Sequence, residues 1–410
     1  MFLDDDSLLD RIFKADEILP QTGQIRNRLL KYIGEFPFFR FVKETLSSEL
    51  YERDKYLKDE EYIKLIDLDD YKSSDDLADR IVKNFESLPW QYTITIKLPS
   101  SLNETLSDII TEWPISENAR LVRISDEISR QYPINSDNEN TQRRVHHTGI
   151  AGALAGLISP RWEESAIYMQ TNVEGFIGRF GGTIPAVEAE AFLRSFYGLG
   201  IALRLFKIEP TFTIGTPFGQ EKTSAIVHRR FGSNYQIDGK YELQDHHSSI
   251  FRSIKLHDHN DLLSNRNSFE KWLNICLSDI SSVLRSGKRG EAVLRAARWF
   301  FDSYDIRDES LNFLQTVIVL EVLLGEKSVS DVIGISQLLG NRCAYLIGKS
   351  HEDREDIKKE IQNIYSVRSS IVHSGHDRLT SEQRVLFHKL RWICRRVIQE
   401  EVRLLKADSA

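Results

Sequence analysis

The period of the hydrophobic residues changes twice along this 410-residue chain, and that limits the folds open to it. Up to about residue 88 the spacing is helical: Leu8, Leu9, Ile12 and Phe13 form one stripe, and Ile25, Leu29, Leu30 and Ile33 another. Ser73-Ser74-Asp75-Asp76 opens a further helix with acidic groups at its positive end, and Pro89 stops it. From Trp90 the pattern alternates. Residues 92–98 (YTITIKL) are β-branched with a period of two and read as a strand. Segments 120–124, 165–171, 211–214, 224–229 and 235–243 read as further strands, with turn signals at Phe231-Gly232-Ser233-Asn234 and at Asp238-Gly239. One helix is expected among them, at 185–206, with Gly198 and Gly200 marking a break or a close packing contact.

Past Asp261 the spacing is helical to the end. Helices are predicted at 269–284, 291–304, 308–324, 329–347, 351–368 and 381–405. Their connections are short, so neighbours should run antiparallel, and an up-and-down bundle is the simplest packing. Ser286-Gly287-Lys288-Arg289-Gly290 is the clearest interruption. A chain of this length exceeds one core. The expected organisation is an α+β region over 1–287 (1–88 mainly helical, 89–260 mixed strands and helices) followed by an all-α helical bundle over 288–410.

Composition narrows the function classes. Residues 291–410 hold 18 Lys/Arg and 18 Asp/Glu, and the remaining 290 hold 36 basic and 43 acidic groups, so the net charge of −7 sits entirely in the first part. A global attraction to nucleic acid is excluded, and any such contact needs a local patch. No apolar run reaches the ~18–20 residues of a membrane helix. The opening MFLDDDSLLD carries three aspartates where a secretory signal needs positive charge. Cys276, Cys343 and Cys394 are far apart and form no CxxC pair, as for reduced buried thiols. A cytoplasmic protein is expected, with no contact to a membrane.

Several histidine-bearing segments have two readings each. Asp245-His246-His247 and the nearby His257-Asp258-His259 supply ligand types for a metal phosphoesterase, but the further acidic motifs of a two-metal site are not recognisable around them. A polar loop is the preferred account of them, as it is for Arg143-Arg144-Val145-His146-His147 in the polar stretch 134–147, where an anion contact is the other reading. Gly149, Gly152 and Gly156 fit neither a dinucleotide fingerprint nor a P-loop.

The segment with the clearest chemistry is Tyr365-Ser366-Val367-Arg368-Ser369-Ser370-Ile371-Val372-His373-Ser374-Gly375. RNA cleaves itself when its 2′-OH attacks the adjacent phosphate. An imidazole titrating near neutrality can move the protons, and a guanidinium can brace the phosphorane bidentately. In a continuous helix, residues five apart stand about 140° from one another. A site shared by Arg368 and His373 therefore calls for a bend or an end between them, which the Ile371-Val372 pair and Ser374-Gly375 would allow. Spacing alone favours the plainer reading, a helix-end arginine in solvent and a histidine near a helix C-terminus.

This segment resembles the HEPN superfamily, and its Apea-like group in particular. The superfamily motif is an arginine, a polar residue, three to five further positions and a histidine, which Arg368 to His373 fits. Upstream, Leu320-Glu321-Val322-Leu323-Leu324 is similar to that group's glutamate-bearing helix. Leu339-Gly340-Asn341-Arg342-Cys343-Ala344-Tyr345-Leu346 is similar to the helix after it. The resemblance covers about residues 288–405, and residues 1–287 carry none.

The resemblance implies an HEPN helical bundle that forms a homodimer and joins two Arg/His motifs across the interface. It implies a metal-independent endoribonuclease leaving 2′,3′-cyclic phosphate and 5′-OH ends, of the kind found in bacterial anti-phage defence, abortive infection and toxins. No metal and no cofactor is called for. By position, Arg368 would stabilise the phosphorane, His373 would be the general acid/base, and Ser369 would bond phosphate or orient the pair. Glu321 would hold Arg368 or a partner motif, unless it is simply an ion-pair carboxylate. Tyr365, three residues before Arg368, would stack on a base or pack. The substrate would be RNA, with tRNA one candidate. The region 1–287 would meet a phage-derived or nucleotide trigger, or an inhibitory partner. The alternative is a catalytically silent HEPN module for dimerisation or nucleotide binding within a sensor or scaffold.

The last predicted helix adds a feature of its own. Arg384, Arg391 and Arg395 fall at i, i+7 and i+11 on one face, with Phe387 and Trp392 interleaved. They form either a phosphate track for RNA or a solvated face with Trp392 in the bundle core.

Overall fold

The computed structural model describes residues 6–54, 73–134, 162–178, 182–209, 223–257, 265–305, 308–326, 328, 331, 334–374 and 378–407. The expected strand at 211–214, the 143–147 basic segment, Gly149, Gly152, Gly156, Asp258, His259 and Gly375 lie outside them.

The helical start of the chain consists of α1 (Asp6–Ile18), α2 (Gly23–Tyr32), α3 (Pro37–Asp54) and α4 (Ser74–Glu86). Asp16 fixes how α1 meets α3. Its buried carboxylate accepts hydrogen bonds from the backbone N–H groups of Phe38 (2.9 Å) and Phe39 (2.8 Å), two donors that the first turn of α3 cannot satisfy itself. Ser73 caps α4 through the N–H of Asp76. The apolar faces of these helices enclose Ile33, Phe41, Val42, Leu46 and Ile81, closed by Phe176 and Trp90 from the sheet.

The strands are β1 (Trp90–Lys97), β2 (Glu112–Pro114), β3 (Ala119–Arg123), β4 (Ile167–Gly175), β5 (Phe206–Ile208), β6 (Ser224–Phe231), β7 (Asn234–Glu242) and β8 (Ile254–Leu256). Six of them form an antiparallel sheet in the order β2-β3-β4-β1-β6-β7, and β5 pairs with β8. The alternation that predicted β1 also explains its central place. Tyr92, Ile94 and Ile96 enter the main core, while Thr93 and Thr95 are buried on the opposite face. There Thr93 Oγ1 donates to Asn172 Oδ1 (2.8 Å), and Arg120 donates to Gln170 (2.9 Å). Gly232 has φ +61° in the β6–β7 turn, as the turn signal required. Asp238-Gly239 is not a turn. The register runs Val227 to Gly239 and His228 to Ile237, so Asp238 is the extra residue of a β-bulge within β7.

The remaining helices are α5 (Ser100–Leu106), α6 (Asp126–Gln131), α7 (Ile184–Ala202), α8 (Asp245–Arg252), α9 (Arg266–Arg285), α10 (Glu291–Asp302), α11 (Glu309–Leu324), α12 (Ile335–Ile347), α13 (His351–Ser374) and α14 (Ser381–Ala407). Helices α9 to α14 form the helical C-terminal part. Asp308 caps α11 by accepting from Leu311 N at 2.8 Å. Helix α12 starts at Ile335, later than the apolar pattern indicated, because Gly334 holds φ +80° before it. Among the described residues, no helix is long and apolar enough to cross a membrane. All three cysteines are buried and unbridged.

The pattern change near Gly287 is not a gap in packing. One continuous core runs from Tyr92 and Met169 of the sheet, through Leu193 and Phe196 of α7, to Phe300, Phe313, Leu390 and Val402. Helix α7 is the element in common. A Cβ added to Gly198 would lie 1.9 Å from the carbonyl oxygen of Ala297 on α10, and one on Gly200 would lie 2.2 Å from the Phe206 ring. Gln399 of α14 donates to the carbonyl of Ala202 at the end of α7 (2.7 Å). Gly198→Ala is expected to destabilise the chain by about 2–3 kcal/mol, since backbone must move to admit the methyl group. Gly239→Ala, where a Cβ meets nothing within 4 Å, should change stability little; urea unfolding of both variants checks this.

Candidate functional site

The Arg/His segment lies on the last turns of α13. Polar Ser366 and Ser369 are exposed, while Ile361, Ile364 and Ile371 are buried at helical spacing. The expected break between Arg368 and His373 does not occur, because α13 continues unbroken to Ser374. The β-branched Ile371-Val372 pair is carried in regular helix, since Ile371 is buried in the core. Arg368, half-buried, and His373, exposed, therefore stand about 140° apart on one helix and do not meet within one chain.

Helices α11, α12 and α13 do converge beside Arg368. The Tyr365 hydroxyl donates to Glu321 Oε1 at 2.7 Å. Burial pushes the Tyr365 pKa well up, the Glu321 carboxylate raises it further, and the Arg368 charge pulls it partly back. The phenol thus stays protonated as a donor, and Arg368 is near enough to feel the pair. Two of the sequence-selected residues are in contact and a third is in electrostatic reach. Arg342 holds the framework: Nη1 donates to the carbonyl of Leu324 at the end of α11 (2.9 Å), and Nη2 pairs with Glu326. That satisfies a terminal carbonyl of the helix carrying Glu321 and places a cation at its negative end. Val372, one turn beyond Arg368 on the same helix, is 51% exposed.

The expected basic face of α14 is corrected. Arg384, Arg391 and Arg395 share a side of the helix, but Arg391 and Arg395 turn toward other helices and only Arg384 is exposed. Arg384 pairs with Glu309 of α11 at 3.0 Å. Arg391 sits between the rings of Tyr304 (4.3 Å) and Phe387 (4.2 Å) and donates to the carbonyl of Ser303, which ends α10, at 2.6 Å. Burial lowers its pKa. Arg395 is half-buried. The solvent face carries His388, Lys389 and Trp392 instead, and Trp392 is 44% exposed, not in the bundle core.

The Asp245-His246-His247 motif begins α8, and no group of metal-ligating residues occurs among the described residues. His247 is buried in a network of charges. Its Nδ1 lies 2.5 Å from Glu190 of α7, and its Nε2 faces Asp302 of α10 at 3.5 Å, an ion-pair contact too long for a good hydrogen bond. Asp302 is held on its other oxygen by Arg194 of α7 at 2.8 Å. Sequence reasoning found His247 but missed Glu190, Arg194 and Asp302. The available signal was a charged i, i+4 pair, Glu190 and Arg194, on a largely apolar helix.

Comparison with protein-family models, with curated proteins and with solved structures finds no match to this chain.

Burial opposes a charge on His247, but the carboxylates of Asp302 and Glu190 outweigh it, and the pKa is raised. A folded-state value above the unfolded one, about 6.5, stabilises fully below that pH and is lost as pH rises through the folded value. The melting-temperature gap between wild type and His247→Gln is therefore expected to be widest near pH 6 and to narrow toward pH 9. A gap that did not change with pH would mean that His247 is neutral in the fold.

Proposed function

We propose that the chain is a metal-independent endoribonuclease of HEPN type, acting as a homodimer. The observation that carries this reading is the convergence of Glu321, Tyr365 and Arg368 at the surface of α13, with Ser369 and His373 exposed further along the same helix. Because α13 is continuous, Arg368 of one copy cannot share a phosphate with His373 of the same copy. A second copy with its own α13 would supply the missing half, and exposed Val372 beside the motif offers it an apolar contact.

The chemistry follows from the side chains. His373 takes the proton of the 2′-OH, whose oxygen attacks the adjacent phosphorus. Arg368 donates to the equatorial oxygens of the phosphorane as charge accumulates there. The 5′-oxygen leaves, protonated by the second histidine, and the products are a 2′,3′-cyclic phosphate and a 5′-OH. Ser369 bonds a phosphate oxygen. Glu321 and Tyr365 act as positioning residues that set the height and direction of Arg368. The region before the bundle restrains the nuclease until a trigger binds, in the setting of bacterial defence or a toxin.

The test is cleavage of total RNA and of tRNA in EDTA by wild type, His373→Ala and Arg368→Ala. Wild type is expected to cleave and leave cyclic-phosphate ends, and each variant to lose at least about 100-fold in rate. Tyr365→Phe should cut the rate less while leaving a folded dimer. Cleavage surviving both motif substitutions would place the chemistry elsewhere. A wild-type dimer as inert as its variants would favour the catalytically silent module.

A further inference from the structure

Charges are unevenly matched in the groove between α7 and α10. Arg295, Arg298 and Asp302 follow one another at three and four residues on α10, which places them along one side of the helix. Helix α7 lies so close, with Gly198 against the Ala297 backbone, that Arg194 reaches across to Asp302 at 2.8 Å. Arg194 and Arg298 therefore both border Asp302, and Arg295 follows one turn earlier on the exposed side of α10. The carboxylates there are already engaged: Asp302 holds Arg194 and faces His247, and Glu190 holds His247. Among the described residues, Arg295 and Arg298 have neither an ion pair nor a hydrogen bond.

Arg298 is half-buried. Burial and the charges of Arg194 and Arg295 push its pKa below the usual arginine value, with Asp302 only partly offsetting them. Keeping like charges together and partly desolvated costs stability. An arrangement with that cost, in which the nearby Asp302 is already held by Arg194 and only partly offsets the row, fits an anion of more than one charge. Guanidinium groups match phosphate oxygens in geometry, and arginine is suited to this contact by its fixed planar fork.

We propose that the α7–α10 groove binds the phosphate groups of a small phosphorylated ligand, with Arg298 and Arg295 as direct contacts and Arg194 behind them. The site joins a helix of the α+β region to a helix of the bundle, so its occupant touches both parts of the chain. It is remote in sequence from the α13 motif, and its test does not depend on RNA cleavage.

The experiment is calorimetric titration of the full-length protein with inorganic phosphate, pyrophosphate and ATP at matched ionic strength. Thermal unfolding is followed in parallel. Wild type is expected to bind pyrophosphate, with affinity falling about ten-fold or more in Arg298→Met and in Arg295→Gln. Lys358→Gln, on α13 and paired with Glu355, should bind as wild type does. Without ligand, Arg298→Met is expected to melt no lower than wild type, because it removes a repelled charge and keeps an unbranched stem. Pyrophosphate and ATP binding alike would define a phosphate site, and tighter ATP binding would define a nucleotide site; either supports the proposal. Absence of binding by all three probes, equal loss in Lys358→Gln, undiminished binding in Arg298→Met, or retention of RNA oligomers alone would overturn it.

Discussion

The close approach of α7 to α10 is the contact on which the other parts of the structure depend. A glycine at position 198 lets the two backbones meet, with the carbonyl of Ala297 where a side chain would otherwise stand. Helix α7 can then bury one side against the sheet and another against the bundle, and the two parts share one core. A larger residue would separate the helices by more than the adjoining side chains can fill, and dense interiors do not absorb such a gap without loss. The same proximity brings Arg194 and Glu190 within reach of Asp302 and His247.

Charges at the contacts between helices are handled differently at four places. Around His247, two carboxylates meet an arginine and an imidazole, and the balance is nearly closed. At the end of α10, Arg391 is held between two rings and spends a donor on the carbonyl of Ser303, so an arginine that looks available in a linear stripe serves as structure. Along Arg295 and Arg298 the balance stays open. Beside α13, the buried Tyr365 hydroxyl bonds to Glu321, and Arg368 borders the pair at the surface. Pairing inside the chain is what separates arginines bound up in structure from arginines free to meet a ligand.

Much of the fold was legible along the chain. Strand β1, the β6–β7 hairpin, and helices α9, α11 and α14 follow from period and capping, because burial on one side imposes its own spacing on a sequence. The small elements α5, α6, α8, β2, β5 and β8 were missed, being too short to carry a period. Asp238-Gly239 had the letters of a turn but became a bulge, since pairing with β6 on both sides held the strand together. The break expected before His373 rested on local preference, and burial of Ile371 overrode it.

The sequence by itself determined the succession of helical, alternating and helical segments, the helix start at Ser73, and an arginine and a histidine five residues apart late in the chain. These are local properties, set by spacing and by hydrogen bonds a few residues long. Only the tertiary structure decided which charges find partners: Tyr365 with Glu321, His247 with Glu190 and Asp302, and Arg391 with the end of α10. It decided also that Arg368 and His373 face apart on an unbroken helix. The reason is physical. Pairing energies between charges depend on distance and burial across elements far apart in the chain, and neither is encoded in any short run of residues.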